Sequence, residues 1–166
     1  MSKTCLVTGG AGFIGCALSP LLAGQFSRVV AFDNLHPQVH PSAERPEALD
    51  SRVEFVKGDV TSPEDWDRVL NGFAPDVVIH LAAETGTGQS LLEASRHAHV
   101  NVTGTTEMLD ALVRNNGEAL PERIVLTSSR AVYGEGAWKD ANGGVVYPGQ
   151  RSREQLERAE WDFPGL

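Results

Sequence analysis

The segment Cys5-Leu-Val-Thr-Gly-Gly-Ala-Gly-Phe-Ile-Gly15 decides the fold of this 166-residue chain. It joins an apolar, strand-like run to a helix-like run and, counted from Gly10, has the spacing G-x-G-x-x-G. Glycine suits such a turn because a Cβ would hold a pyrophosphate away from the backbone, and the last glycine lets the helix pack closely on its strand. The N–H groups at the helix start attract phosphate. The segment therefore predicts a dinucleotide-binding turn.

An acidic residue follows this turn at the spacing that dinucleotide sites use. Asp33 stands at the end of the second strand, 18 residues beyond Gly15. Its carboxylate suits the hydroxyls of an adenosine ribose and would repel the extra phosphate of NADP, so we expect NAD. The alternative is a glycine turn that serves backbone geometry alone, with Asp33 capping a loop.

Short apolar runs alternate with amphipathic stretches along the chain. The predicted strands are residues 4–8, 28–32, 53–56, 77–81 and 123–127, and the predicted helices are residues 12–24, 63–70 and 89–115. The strands are continuously apolar, which is typical of strands that are buried on both faces of a parallel sheet. The pattern predicts an α/β fold with a doubly wound parallel sheet, the Rossmann architecture.

Several local signals refine these elements. Ser62 followed by Pro63 predicts the start of the second helix. Gly104 is expected to mark a close approach or a bend in the long third helix, which should end at Asn116-Gly117. Ser152 opens a short helix over residues 152–160, with Gln155 completing a capping box. Two longer loops, residues 35–50 and 134–149, are the places where we expect binding to occur.

The composition excludes several classes of function. The net charge is −8, from 22 acidic and 14 basic residues, and such a surface disfavours nucleic acid and anionic membranes. No apolar run reaches the ~18 residues of a membrane span, and no signal peptide is recognisable at the N-terminus. Cys5 and Cys16 lack His or Cys partners at ligand spacing, so we expect free thiols, no metal site and a cytoplasmic location.

Six motifs resemble those of the extended short-chain dehydrogenase/reductases, in particular the nucleotide-sugar epimerase/dehydratase group. They cover residues 8–15, 32–35, 58–60, 80–83, 101–105 and 127–134. The stretch 84–90 is most similar to members that act on deoxyhexoses, such as the dTDP-rhamnose 4-epimerases. The resemblance implies a nucleotide-sugar epimerase, in which hydride leaves a sugar carbon for NAD and returns to the opposite face. It also implies a homodimer for the full-length protein.

The same resemblance implies roles for individual residues. Those near the cofactor would be Gly9, Gly12, Phe13, Ile14, Gly15, Asp33, Asn34, Leu35, Asp59, Val60, Leu81, Ala82, Ala83 and Asn101. Asp59 would reach the exocyclic amine of the adenine, Ser129 would be the active-site hydroxyl, and Gln89 or Ser90 would reach the substrate. Simpler roles remain open: Asp59 as a turn cap, Ser129 as a polar strand end, His80 as a packed core histidine, and Ser90 as a helix N-cap.

The catalytic motif of the family, Tyr-x-x-x-Lys, has no counterpart in this sequence. Tyr133 is followed four residues later by Ala137, and Tyr147 by Arg151, in a segment rich in glycine and proline. We therefore expect a fragment that is inactive alone, with an NAD-binding domain over residues 1–136 and a loop with a short helix over residues 137–166. Arg130-Ala131 favours an epimerase over a 4,6-dehydratase; a non-catalytic NAD-sensing module is the other alternative.

The missing part of the family fold has a structural consequence. The fifth strand should form an open sheet edge, and apolar residues of the third helix should be partly exposed, namely Val100, Leu109 and Leu112.

Overall fold

The computed structural model describes residues 3–117 and 119–163, which divide into two compact units. The first unit extends to Thr127 and the second begins at Ser128, somewhat before the boundary at residue 136 that the sequence suggested. The first unit contains every strand of the main sheet and all the helices that cover it.

The first unit is built on a five-stranded parallel sheet. Its strands are β1 (Thr4–Thr8), β2 (Arg28–Asp33), β3 (Glu54–Lys57), β4 (Val77–His80) and β5 (Arg123–Leu126). They lie in the order β3-β2-β1-β4-β5, so the chain reverses its direction of winding between β1 and β4. This order confirms the doubly wound Rossmann fold, and ligands of such sheets bind beyond the carboxyl ends of the strands at that reversal.

Alternate residues of β1 enter two separate cores, which explains its uninterrupted apolar sequence. Leu6 joins a cluster that includes Trp66 and Met108 from the helices on one face of the sheet. Cys5 and Val7 join the cluster on the opposite face. Both cysteines of the chain are free and buried, and burial raises the pKa of the Cys5 thiol to about 12.

Two of the predicted helices form as expected. Helix α1 (Phe13–Gln25) follows the glycine turn directly. Helix α2 (Pro63–Leu70) begins where the sequence indicates, because the side chain of Ser62 accepts a hydrogen bond from the Asp65 N–H. Among the helices of the described residues, none is long and apolar enough to cross a membrane.

The prediction of one continuous helix over residues 89–115 is wrong. The segment consists of α3 (Thr87–Leu92), α4 (Ala94–Ala98), a π-helical turn (His99–Thr103) and α5 (Gly104–Asn116). The first break falls at Glu93, whose φ of −126° and ψ of 40° are not helical. Because α3 starts at Thr87 after Gly86, the prediction of Ser90 as an N-cap is also wrong.

Gly104 marks a close approach, as the sequence suggested. A Cβ at this position would lie 2.8 Å from Cγ2 of Val60, so only glycine allows α5 to pack this tightly. At the other end of α5, Gly117 has a φ of 54° and donates its N–H to Val113, which confirms the predicted stop.

Strand β5 forms one edge of the sheet, and all four of its residues are exposed. Leu109 is also exposed and Val100 is half-buried, in agreement with the sequence analysis. The expectation for Leu112 is wrong: its side chain is 2% exposed because it packs in the core between α5 and α2.

The second unit contains more regular structure than the sequence suggested. A 3₁₀ turn (Arg130–Tyr133) is followed by a hairpin of β6 (Trp138–Lys139) and β7 (Val145–Val146), within the segment that was expected to be a plain loop. Helix α6 (Arg153–Glu157) then forms, capped by Ser152 as predicted. The side-chain amide nitrogen of Gln155 donates a hydrogen bond to the Asp162 carbonyl.

Candidate functional site

A cavity of about 140 Å³ lies in the first unit, at the carboxyl ends of β1, β2 and β4. This is the crevice where open α/β sheets bind their ligands. Eight predicted cofactor residues line it: Gly9, Gly12, Asp33, Asn34, Val60, Leu81, Ala82 and Ala83. The glycine turn, the end of β2 and the segment after β4 thus meet around one space.

The glycine turn is closed so tightly that side chains would disrupt it. Gly9 has a φ of 63°, and a Cβ there would lie 2.7 Å from the backbone nitrogen of Ala82. A Cβ on Gly15 would lie 2.3 Å from the carbonyl oxygen of Gly10. Both positions need glycine because the turn is too tight for a side chain, one of the two reasons that the sequence suggested.

The start of α1 offers backbone donors to a ligand. In the part of the chain that the structure describes, no side chain caps this helix at Gly12, in contrast to Ser62 at α2. The first intrahelical bond runs from the Cys16 N–H to the Gly12 carbonyl, so helix geometry leaves the N–H groups of Phe13, Ile14 and Gly15 without an intrahelical acceptor. An uncapped helix start of this kind favours a phosphate.

The carboxylate of Asp33 is held in a fixed orientation beside the turn. Its Oδ2 accepts the Ala11 N–H at 3.1 Å and its Oδ1 accepts the Leu35 N–H at 2.8 Å. Asp33 is buried, with 9% of its surface exposed. Because a carboxylate offers about four lone-pair positions, it can still accept hydrogen bonds from a ribose.

The carboxylate of Asp59 stabilises the chain segments around it through hydrogen bonds. It accepts hydrogen bonds from the Asn34 side chain at 3.0 Å and from both the backbone and the hydroxyl of Thr61. Burial acts to raise the pKa of Asp59, but these hydrogen bonds outweigh it and leave the pKa below its ordinary value. Asp59 thus caps this turn, while its predicted contact with the adenine amine stays a prediction; the neighbouring Gly58 and Val60 line the cavity.

Asn101 shapes the cavity wall through the backbone of Glu84. The Asn101 carboxamide accepts the Glu84 N–H at 2.8 Å and donates to the Glu84 carbonyl at 3.0 Å. The π-helical turn that contains Asn101 is a local widening of the helix of the kind often found at functional sites. We refer to this pair of bonds as the Asn101–Glu84 clamp.

The loop after β2 contributes residues that the sequence analysis did not single out. His36, Gln38, Val39 and His40 line the cavity, and Nε2 of His40 lies 3.7 Å from Oδ1 of Asp33. Residues 35–50 were predicted to be a binding loop, but no motif indicated which of their side chains would turn inward. Here two backbone bonds to the His36 carbonyl, from Val39 and His40, fold the loop back on itself.

Arg96 lies beside the same cavity and neutralises an acidic wall residue. Its guanidinium donates to the Glu84 carboxylate at 2.7 Å and to Glu93 at 2.7 Å, and lies 3.5 Å from the Gln38 side-chain oxygen. Glu84 would otherwise place an uncompensated negative charge beside an anionic ligand. Arg96 was also missed from the sequence, because the pairing joins separate elements across the cavity mouth.

The remaining predicted site residues lie outside the described lining. They are Phe13, Ile14, Gly15, Leu35, Asp59 and Asn101 from the cofactor set, and Gln89 from the substrate set. Gln89 lies in α3 with its side-chain oxygen against Gly86, and Phe13 lines a separate open hollow. Ser129 belongs to the second unit, where its side chain caps the 3₁₀ turn by accepting the Ala131 N–H. In the described part of the chain, no three metal-ligating side chains come together.

The residues present fit part of a dinucleotide. Glycines form the turn without side chains that would obstruct a phosphate, the uncapped start of α1 leaves backbone N–H groups for it, and the buried Asp33 carboxylate has acceptor positions for a ribose. The volume of about 140 Å³ is below the ~300–1,000 Å³ of ordinary small-molecule sites, so this cavity matches a portion of the ligand rather than the whole.

Comparison with known proteins identifies the family of this chain. The sequence pattern of the NAD dependent epimerase/dehydratase family matches residues 5–148. The chain is 63% identical over 164 residues to the dTDP-L-rhamnose 4-epimerase of Burkholderia thailandensis, covering 99% of this chain and 45% of that protein.

Two solved structures show the same fold. The UDP-glucose 4-epimerase of Brucella ovis in complex with NAD has a TM-score of 0.64 at 30% identity, covering 87% of this chain and 42% of the other. The UDP-glucose 4-epimerase of Thermus thermophilus, also in complex with NAD, has a TM-score of 0.64 at 29% identity, covering 92% and 43%. The chain thus spans less than half the length of these relatives, and it belongs to the NAD dependent epimerase/dehydratase family.

Proposed function

We propose that this chain binds NAD and supplies the cofactor-binding part of a nucleotide-sugar 4-epimerase of the dTDP-L-rhamnose type. The observation that carries the proposal is the closed glycine turn beside the fixed carboxylate of Asp33, in a cavity at the reversal of the sheet. The identity of 63% to a dTDP-L-rhamnose 4-epimerase over nearly the whole chain supports the substrate class.

In this proposal the residues of the first unit divide the task of holding the cofactor. The N–H groups at the start of α1 bind the pyrophosphate, and Asp33 accepts hydrogen bonds from the adenosine ribose while repelling a 2′-phosphate. Ala82 and Ala83 provide a small-residue wall that lets the ligand approach the backbone. When bound, NAD supplies the hydride acceptor and donor of the epimerisation.

In this proposal the loop residues His36, Gln38, Val39 and His40, which line the cavity, can move outward as NAD enters. The contacts of this segment with neighbouring residues include the 3.7 Å approach of His40 to Asp33 and the 3.5 Å approach of Arg96 to Gln38. Both contacts are long for hydrogen bonds and cost little to break.

We propose that the chain performs no epimerisation by itself, because no tyrosine in it is placed to act as a general base. Tyr133 ends a 3₁₀ turn and Tyr147 follows β7, so neither lies on an α-helix with a lysine one turn away. The nucleotide-sugar site, the homodimer and the cytoplasmic location that the resemblance and the composition suggest are proposals for the full-length protein.

The experiment is a calorimetric titration of the purified chain with NAD and NADP, together with an NMR assay for epimerisation of dTDP-L-rhamnose. We expect NAD to bind with one site per chain, NADP to bind more weakly, and no turnover to be detected. A folded chain that binds neither cofactor would contradict the binding proposal. Measurable turnover would contradict the proposal that the catalytic base lies outside this chain.

A further inference from the structure

His80, at the end of β4, has a more specific place in the structure than that of a packed core histidine. It is 2% exposed, and both ring nitrogens have polar partners. Its Nδ1 lies 2.6 Å from the hydroxyl of Thr8 and its Nε2 lies 3.1 Å from the hydroxyl of Thr105. The ring thus connects the strand that enters the glycine turn with the first residues of α5.

The partners of Thr105 determine which ring nitrogen carries the proton. The Thr105 hydroxyl donates its single proton to the Asn101 carbonyl at 2.8 Å. Its oxygen is therefore an acceptor toward His80, and Nε2 must be the donor.

The direction of the hydrogen bond at Nδ1 then follows from the charge of the histidine. Burial lowers the pKa of His80 below its ordinary value, so the ring is neutral at neutral pH and Nδ1 has no proton. Nδ1 accepts from the Thr8 hydroxyl, whose oxygen in turn accepts the Ala82 N–H at 3.3 Å. Every hydrogen bond in the series therefore points the same way, from Ala82 through Thr8, His80 and Thr105 to Asn101.

One end of this series lies in the wall of the cofactor cavity, and the other end is hydrogen-bonded to a residue of that wall. Ala82 lines the cavity directly and lies against Gly9, the first glycine of the turn. At the other end, Asn101 forms the Asn101–Glu84 clamp, and Glu84 also lines the cavity. The series thus connects the glycine turn with the Asn101–Glu84 clamp through one buried ring.

We infer that His80, fixed as the Nε2–H tautomer, is a positioning residue. It fixes the positions of the glycine turn and the Asn101–Glu84 clamp relative to each other for NAD binding. Hydrogen bonds in such a series polarise one another, and an imidazole supplies a donor and an acceptor on opposite sides of a rigid plane. The effect on cofactor affinity rests on the proposed NAD binding, whereas the tautomer and the coupling are properties of the cofactor-free chain.

The first test is the tautomer of His80 in the cofactor-free chain, read from two-bond ¹H–¹⁵N correlations of the ring. We expect the Nε2–H form, with Nδ1 as an unprotonated acceptor. An Nδ1–H form, or an average of two exchanging forms, would overturn the inference regardless of whether NAD binds.

The second test compares two substitutions on the same helix. Thr105→Val removes the acceptor for His80, and Thr106→Val removes a neighbouring exposed hydroxyl that donates to the Thr103 carbonyl at 2.9 Å. We expect Thr105→Val to shift the backbone amide resonances of Ala82 and Glu84 and to weaken NAD binding about fivefold, the scale of one net hydrogen bond. Thr106→Val should leave both unchanged.

Unfolding curves for both variants show whether a loss of affinity follows from general destabilisation. If folded Thr105→Val has unshifted Ala82 and Glu84 amides, the series does not connect the glycine turn with the Asn101–Glu84 clamp and the inference is wrong. If the amides shift in the absence of NAD but the wild-type chain does not bind NAD, the proposed function fails while the positioning role of His80 stands.

Discussion

Gly15→Ala tests how tightly the glycine turn holds the start of α1. The added Cβ would lie 2.3 Å from the Gly10 carbonyl oxygen, whereas ordinary contacts begin at 3.4 Å, so two backbone segments must separate by about 1 Å. Forced overpacking of this kind costs about 1–3 kcal/mol of unfolding free energy. The same displacement moves the Phe13 and Ile14 N–H groups away from a bound phosphate, so NAD affinity should fall about tenfold or more.

Gly24→Ala is the matched control, because it makes the same change in the same helix. A Cβ at Gly24 meets nothing within 4 Å, so the helix-forming preference of alanine should stabilise the chain by up to about 1 kcal/mol. Urea unfolding followed by circular dichroism gives both free energies, and calorimetry gives both affinities. If Gly15→Ala is as stable as Gly24→Ala and binds NAD as the wild type does, the close packing at Gly10 is not what shapes this site.

Further predictions concern other parts of the first unit. Ser62→Ala should lower the unfolding free energy by about 1 kcal/mol, since it removes the N-cap of α2; urea unfolding checks this, and no change would contradict the capping role. Asp33→Asn should reduce the preference for NAD over NADP about tenfold in calorimetry, a ratio that general destabilisation leaves unaltered. Because burial lowers the pKa of His80 in the folded state, the unfolded chain binds the proton first, and the unfolding free energy should decrease as the pH falls below the ordinary value of 6.5; His80→Gln should flatten that decrease. Val125→Lys on the open edge of β5 should reduce self-association in analytical ultracentrifugation without loss of stability.

Much of the first unit could be predicted because local and tertiary preferences agree there. Strand β1 is apolar throughout, and the structure buries its alternate residues in two cores. Ser62 and Gly117 begin and end helices for reasons that act within a few residues. The glycine turn was recognisable for a similar reason, since its closure depends on close approaches between backbone atoms such as those of Gly15 and Gly10.

The segment between β4 and β5 was harder to predict because long-range contacts decide its shape. Its apolar periodicity suits one continuous helix, yet the backbone leaves the helix at Glu93 and widens around Asn101. The widening accompanies the Asn101–Glu84 clamp, which pairs a side chain with a backbone seventeen residues away. Periodicity does not encode such a pairing.

The cavity lining was only partly predictable. Asp33 and Ala82, which the motifs indicated, line the cavity, but the inward positions of His36 and His40 depend on how the loop after β2 folds back on itself. The role of His80 was also hidden, because a lone histidine in an apolar strand gives no indication of its two threonine partners. One of those, Thr105, comes from a helix that begins well after β4.

A crystal structure of the 166-residue chain grown with saturating NAD tests most directly whether the glycine turn is the cofactor site. We expect one NAD per chain, with its pyrophosphate within hydrogen-bond distance of the Phe13 and Ile14 N–H groups. The adenosine ribose should be hydrogen-bonded to the Asp33 carboxylate. NAD bound at any other place on the chain, or its absence from well-ordered crystals at saturating concentration, would contradict the assignment of this turn as the cofactor site.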